Sequence, residues 1–242
     1  MSSPATRTSV GNVLLVCNDA AAIQQLTDAM QQFAISIEVC GYVSMSLGLL
    51  DRQKFEAVII DFGLEQADKV LERVQLSQSN RTAVTFAITD SGKPAVFVTQ
   101  PNFAIQKPLS PSALNRTLKA AFGLIVRERR RYFRCPIAIP AVIDADGKEV
   151  SCHLVNVSEG GLALSEAPSM KPGNRVKIVF TLPGQPLRFR VESEVCWYDE
   201  RGRAGLRTLM IPSEQQSALQ QWLGAKLEAD LPESVARQFQ KD

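Results

Sequence analysis

The sequence predicts two unlike halves. The first is an α/β half built as a doubly wound parallel sheet, and the second is a β-rich half of about six short strands followed by a helix. Three observations carry this. Up to about residue 125, short apolar runs alternate with stretches of helical periodicity. Beyond Arg134, turn signals recur about every ten residues. Between the two patterns lies "RERRRYFR", residues 127–134, with five arginines against the single acid Glu128.

In the first half, "VLLVC" (13–17) reads as a strand buried on both faces. Asp19 then caps a helix whose apolar positions are Ile23, Leu26, Met30 and Phe33. "SIEVC" (36–40) is a second strand, and Ser44 is placed to cap a short helix ending near Leu50. "AVIID" (57–61) is a third strand ending on a carboxylate, and Val70, Leu71 and Val74 mark the next helix. "AVTFAIT" (83–89) is a fourth strand, followed closely by the strand-like "AVFVT" and "FAIQ". Ser110 as N-cap with Pro111 at the first helical position opens a helix through Leu114, Leu118, Ala121 and Phe122.

In the second half, "PIAIPAVIDADGKEVSCHLVNV" reads as two strands turning at Asp146–Gly147. "GLALS" is a third strand, two more flank Pro183–Gly184, and "RGRAGLRTLM" closes the series. Such spacing suits an antiparallel barrel or a sandwich. Pro212 and Ser213 start an amphipathic helix carrying Leu219, Trp222, Leu223 and Leu227. The segment 232–240 is a short helix or a frayed tail.

Charge narrows the function. The formal net charge is +2, too small for nonspecific nucleic-acid binding by the whole chain. Residues 1–126 carry ten basic and ten acidic residues, so the positive excess is local to 127–134. A local anion site is therefore expected, rather than a basic linker, a nucleic-acid surface or a membrane patch. No apolar run suits a membrane span or a signal core, so no membrane insertion is expected. The five cysteines are scattered, without CxxC spacing, and His153 is the single histidine, so no metal site is expected. Four of the cysteines read as small core residues, and a reducing cytoplasm is the expected compartment. No nucleophile–base pair, G-x-S-x-G or P-loop is present, so no catalytic residue and no cofactor is expected. His153 reads as a strand residue, and Trp197 and Tyr198 as core and rim residues rather than a base-stacking platform.

In a doubly wound sheet, functional groups gather at the carboxyl ends of the strands. Here those groups are Asn18, Asp19, Asp61, Thr89 and Lys107. Residues 10–125 resemble the receiver domain of bacterial two-component response regulators. The resemblance makes Asp61 the phospho-acceptor position and matches Thr89 and Lys107–Pro108. It fails after the first strand, where Cys17 and Asn18 replace two acidic Mg²⁺ ligands and Asp19 falls one position late. Mg²⁺ favours oxygen ligands, with one or two carboxylates. The expectation is a degenerate receiver in which Asp61 pairs with Lys107, serving dimerisation or docking. A one-residue slip bringing Asp19 into the metal position would instead restore Mg²⁺-dependent phosphorylation of Asp61. Between Thr89 and Lys107 the fourth helix of the family is expected to be shortened or replaced.

Two motifs mark the second half: R-x-x-x-R, formed by Arg130 and Arg134, and N-x-S-x-x-G, formed by Asn156, Ser158 and Gly161. Each alone is weak. Together, at this spacing and at the start of a strand series, they resemble the PilZ domain over roughly residues 127–228. That family is a bacterial receptor module for cyclic di-GMP, and it implies a six-stranded antiparallel barrel with a terminal helix. The resemblance assigns Arg130 and Arg134 to phosphate and guanine contacts, and Asn156 and Ser158 to a guanine edge. It gives the Gly160–Gly161 pair to the loop, with Gly161 allowing close backbone approach or a positive φ. Arg129 matches the position that influences whether one ligand or a stacked dimer is held. Guanidinium groups suit this ligand because they fork onto phosphates and guanine acceptors and stack on purines.

The expected organisation is a receiver-like domain at 10–125, a flexible arginine-rich hinge at 126–135, the barrel domain at 136–230 and a tail at 231–242. The expected function is a cytoplasmic receptor that binds cyclic di-GMP, changes its domain arrangement and signals to a protein partner. Two alternatives stand: a phospho-acceptor regulator with the second domain as output, and an adaptor that keeps the fold without the ligand.

Overall fold

Strands β1 (Gly11–Val16), β3 (Ala57–Asp61) and β4 (Val84–Asp90) are buried almost throughout, which is why they read as unbroken apolar runs. With β2 (Ile35–Cys40) and β5 (Phe103–Lys107) they make a parallel sheet in the order β2-β1-β3-β4-β5. This is the receiver-like order. The computed structural model describes residues 9–92, 97–145 and 147–229. They fall into two units, with the boundary between Arg129 and Arg130.

Alternate side chains of each strand enter different cores. Val13, Leu15 and Ile59 join one core with Leu26 and Met30 of α1 (Ala20–Gln31) and Leu114 and Leu118 of α4 (Pro111–Tyr132). Leu14, Val16 and Ile60 join another with Leu50 of α2 (Val43–Arg52) and Val70 and Leu71 of α3 (Ala67–Leu76). Helices thus cover both faces of the sheet. Asp19 caps α1, accepting from the Ala21 and Ala22 N–H groups. The Ser110 hydroxyl accepts from the Ala113 N–H at the start of α4. Ser44 does not cap α2. Tyr42 already has the extended backbone of a cap, and Ser44 lies inside the first turn.

Among the described residues between β4 and β5 there is no helix and no strand. "AVFVT" was expected as a strand. Its Phe97–Thr99 are irregular, and Ala95 and Val96 lie outside the described residues. The Phe97 ring instead meets Phe62 edge-on at 4.9 Å.

The arginine stretch expected to be flexible is helical as far as Tyr132. The buried stripe of α4 runs on through Ile125 and Val126 to Glu128. The Glu128 carboxylate accepts from Lys54 Nζ and Thr82 Oγ1, both at 3.0 Å. The one acid of the arginine stretch is thus buried against a cation and a hydroxyl from distant sequence, which fixes this part of α4.

The second unit is a closed antiparallel barrel in the order β10-β11-β8-β7-β6-β9. Its strands are β6 (Cys135–Ala145), β7 (Lys148–Ser158), β8 (Gly161–Ser165), β9 (Arg175–Thr181), β10 (Arg188–Tyr198) and β11 (Ala204–Met210). This confirms the barrel over the sandwich. Phe180 and Phe189 stack at 5.3 Å inside it. Helix α5 (Ser213–Ala229) buries Leu219, Trp222 and Leu223 in the same core, and the Trp222 indole donates to the Pro183 carbonyl at 3.0 Å. Asp146 of the first hairpin and the 231–242 tail lie outside the described residues.

Candidate functional site

The first cluster sits at the carboxyl ends of β1, β3 and β5. Asp61 is buried and accepts from Lys107 Nζ at 2.7 Å, the Gly63 N–H at 2.9 Å and the Cys17 thiol at 3.4 Å. Asp19 Oδ2 lies 3.5 Å from the same ammonium. Burial works to lower the Lys107 pKa, but the hydrogen bond and charge of Asp61, with Asp19, outweigh it and hold the pKa above its usual value. Burial pushes the Cys17 thiol up to about 11, and the neighbouring Asp61 adds to this, so the group is a neutral donor. Asp19 is held below the usual carboxylate range, first by the Ala22 N–H and then by Lys107. These donors do not fit Mg²⁺. Its expected acidic positions hold a protonated thiol and an amide, Asp19 caps a helix, and both remaining carboxylates face Lys107.

The arginines divide. Arg129 Nη1 lies 3.9 Å from the carboxylate of buried Glu56. Burial raises the Glu56 pKa, against the hydrogen bond from the Asn12 N–H at 2.6 Å and the charge of Arg129. Arg130 Nη2 lies 3.4 Å from Glu228 Oε1 on α5. Arg131 and Arg134, in contrast, line a cavity of about 440 Å³ on the barrel.

That cavity is built by strand pairing. Asn156 and Ser158 come from the end of β7, where Ser158 pairs with Gly161 across the β7–β8 turn. The Ser158 hydroxyl donates to the Gly161 carbonyl at 3.1 Å, so it presents its lone pairs to the cavity. Gly160 accepts from the Thr208 N–H at 3.0 Å, and Gly161 sits opposite Arg207 of β11. Of the two needs expected at Gly161, the positive φ is not the one met. A Cβ there would collide with the Leu206 carbonyl, so the glycine permits a close approach between β8 and β11. Trp197 faces Gly205 across β10 and β11, and a side chain at 205 would strike its indole. Trp197 is 49% exposed and forms part of the cavity wall. Among the described residues, no carboxylate lines this cavity. Another barrel cavity, of about 450 Å³, sets Lys177, Arg188 and Arg190 against Asp144, Glu149 and Glu192, so its charges offset one another.

Residues 128–225 match the PilZ domain family. The second unit is a PilZ domain. Among solved structures, the chain is similar to the Bacillus subtilis inhibitor of motility MotI/DgrA, at 23% identity over 40% of this chain and 51% of that one, with a TM-score of 0.36. The chain spans about half the length of that protein. It is also similar to the PilZ domain of CeSA from a cellulose-synthesizing bacterium, at 19% identity over 39% and 97%, with a TM-score of 0.33. A third similarity is to the receiver domain of the sensor histidine kinase PA1611 from Pseudomonas aeruginosa, at 15% identity over 47% and 98%, with a TM-score of 0.43. No curated protein sequence matches the chain.

Within the PilZ domain, the structure brings together Arg134, Asn156, Ser158, Gly160 and Gly161 of the residues expected from the motifs. Arg129 and Arg130 are not among the residues that line this cavity. Arg131, Trp197 and Arg207 join it unforeseen. The signal for Trp197 was a tryptophan opposite a glycine in paired strands, which becomes readable only when the β10–β11 register is known. Among the described residues, no group of three or more His, Cys, Asp or Glu side chains is placed to hold a metal, and no helix is long and apolar enough to cross a membrane.

Proposed function

We propose that the protein is a receptor for cyclic di-GMP, bound in the PilZ cavity. The convergence of Arg131, Arg134, Asn156, Ser158 and Trp197 on one cavity, with no carboxylate among its described lining residues, carries this reading. The two guanidiniums fork onto phosphate oxygens and guanine N7 and O6. The Asn156 amide and Ser158 hydroxyl supply polar contacts to a guanine edge. The half-exposed indole offers a purine-stacking face. Arg130, together with Arg129 if a stacked dimer is bound, joins the ligand from its present acid partner. Binding then rearranges the two domains, and a protein partner in the cytoplasm reads the change. The receiver-like unit serves dimerisation or docking, because Cys17 and Asn18 stand where acidic Mg²⁺ ligands would be needed for Asp61 to accept a phosphoryl group.

Calorimetric titration with cyclic di-GMP tests this. The wild type is expected to bind, and Arg134→Ala is expected to bind about ten- to a hundredfold more weakly, the cost of losing charge-assisted hydrogen bonds. Two ligands per chain would indicate the stacked dimer. Absence of heat from the wild type at tens of micromolar, roughly the weak-binding regime, would overturn the reading.

A further inference from the structure

Arg130 is the first arginine of the R-x-x-x-R motif, yet it is not among the residues lining the cavity that holds the motif's second arginine. Its Nη2 lies 3.4 Å from Glu228 Oε1, in the last turn of α5. The same helix reaches the other motif. Gln220 Nε2 donates to Glu159 Oε2 at 3.4 Å, and Glu159 stands between Ser158 and Gly160 in the N-x-S-x-x-G loop. So α5 contacts both halves of the proposed site, through polar side chains eight residues apart. Between these contacts it is fixed to the barrel by Trp222 and Leu223.

A carboxylate and a phosphate compete for the same guanidinium fork. The Arg130–Glu228 pair is weak enough to exchange. Both side chains are about one-third exposed, and such pairs contribute little in water. We propose that Glu228 is a positioning residue that competes with the ligand. It holds Arg130 in the ligand-free protein and yields it to a ligand phosphate, which releases the last turn of α5. The end of α5 thereby becomes the part of the domain whose contacts report occupancy. This rests on the reading of the cavity as a cyclic di-GMP site.

The test is the affinity of the full chain for cyclic di-GMP. Removing an ordinary structural contact weakens binding or leaves it unchanged. Removing a competitor strengthens it, because the binding-competent fraction rises. Glu228→Gln is expected to bind about two- to fivefold tighter than the wild type, the range of an exposed ion pair. In an Arg130→Ala background the same substitution is expected to change nothing. Hydrogen exchange of the amides in the last turn of α5 is expected to quicken when ligand is added to the wild type. Equal or weaker binding by Glu228→Gln, with the wild type still binding, would overturn the competition and leave the receptor reading intact. So would a gain that persists in Arg130→Ala, or slowed exchange in α5. No binding by either protein would overturn both.

Discussion

Lys107 Nζ lies 2.7 Å from Asp61 Oδ2, so the buried carboxylate has an ammonium as its charge partner. The Cys17 thiol contacts that same oxygen. A phospho-acceptor needs its negative charge compensated by a metal during transfer, and the residues around Asp61 supply an internal cation instead.

Incubation with Mg²⁺ and a small phosphodonor is therefore expected to give no acid-labile label above that of Asp61→Asn. Stoichiometric label on the wild type would show a working receiver. Lys107→Met leaves a buried carboxylate without its cation and is expected to destabilise the protein by roughly 1–3 kcal/mol in urea unfolding.

Alkaline pH should loosen the receiver-like unit. The Cys17 pKa is raised from 9.0 to about 11, so the thiol ionises more easily in the unfolded chain. Its contribution is complete below about pH 9 and is lost as pH rises toward 11. Lys107, also raised, acts in the same direction, since its ion pair disappears only above its elevated folded pKa. Stability is expected to fall by on the order of 2 kcal/mol across that window through Cys17 alone. Cys17→Ala should flatten the slope in denaturation curves taken at stepped pH.

Gly161→Ala places a methyl group against the Leu206 carbonyl, which belongs to the backbone and cannot swing aside. Separation of β8 from β11 is expected to cost about 1–3 kcal/mol of stability and to deform the cavity. Gly160→Ala meets nothing within 4 Å and serves as the control. Thermal unfolding of the two variants distinguishes a packing requirement at 161 from a general intolerance of the loop.

Both halves of the fold were legible because their signals are local. Continuous apolar runs marked β1 and β3, alternation and turns marked the barrel, and Asp19 and Ser110 announced their helices. The site was legible only in part. Asn156, Ser158 and Gly161 are tied to one turn, so their spacing survives into three dimensions. The arginines are not so constrained. Successive helical residues point about 100° apart, and once α4 continues to Tyr132, neighbouring arginines must face different surroundings. Which of them meets Glu56, Glu228 or the cavity depends on contacts with residues far along the chain. The place of Trp197 in the cavity wall was not legible for a related reason. Its exposure is decided by Gly205 in the paired strand, and nothing beside it in sequence reveals that the opposite position is empty.

Closure of the barrel has a consequence for recruitment. Each of the six strands is hydrogen-bonded to two neighbours, so among the described residues no barrel strand lies wholly at an edge. A protein that recognises it has mainly side chains and helix α5 to read. The parallel sheet differs, since β2 and β5 are its outer strands. Strand addition, the mode in which a second backbone supplies the missing ladder, therefore finds whole open strands only in the receiver-like unit among the described residues.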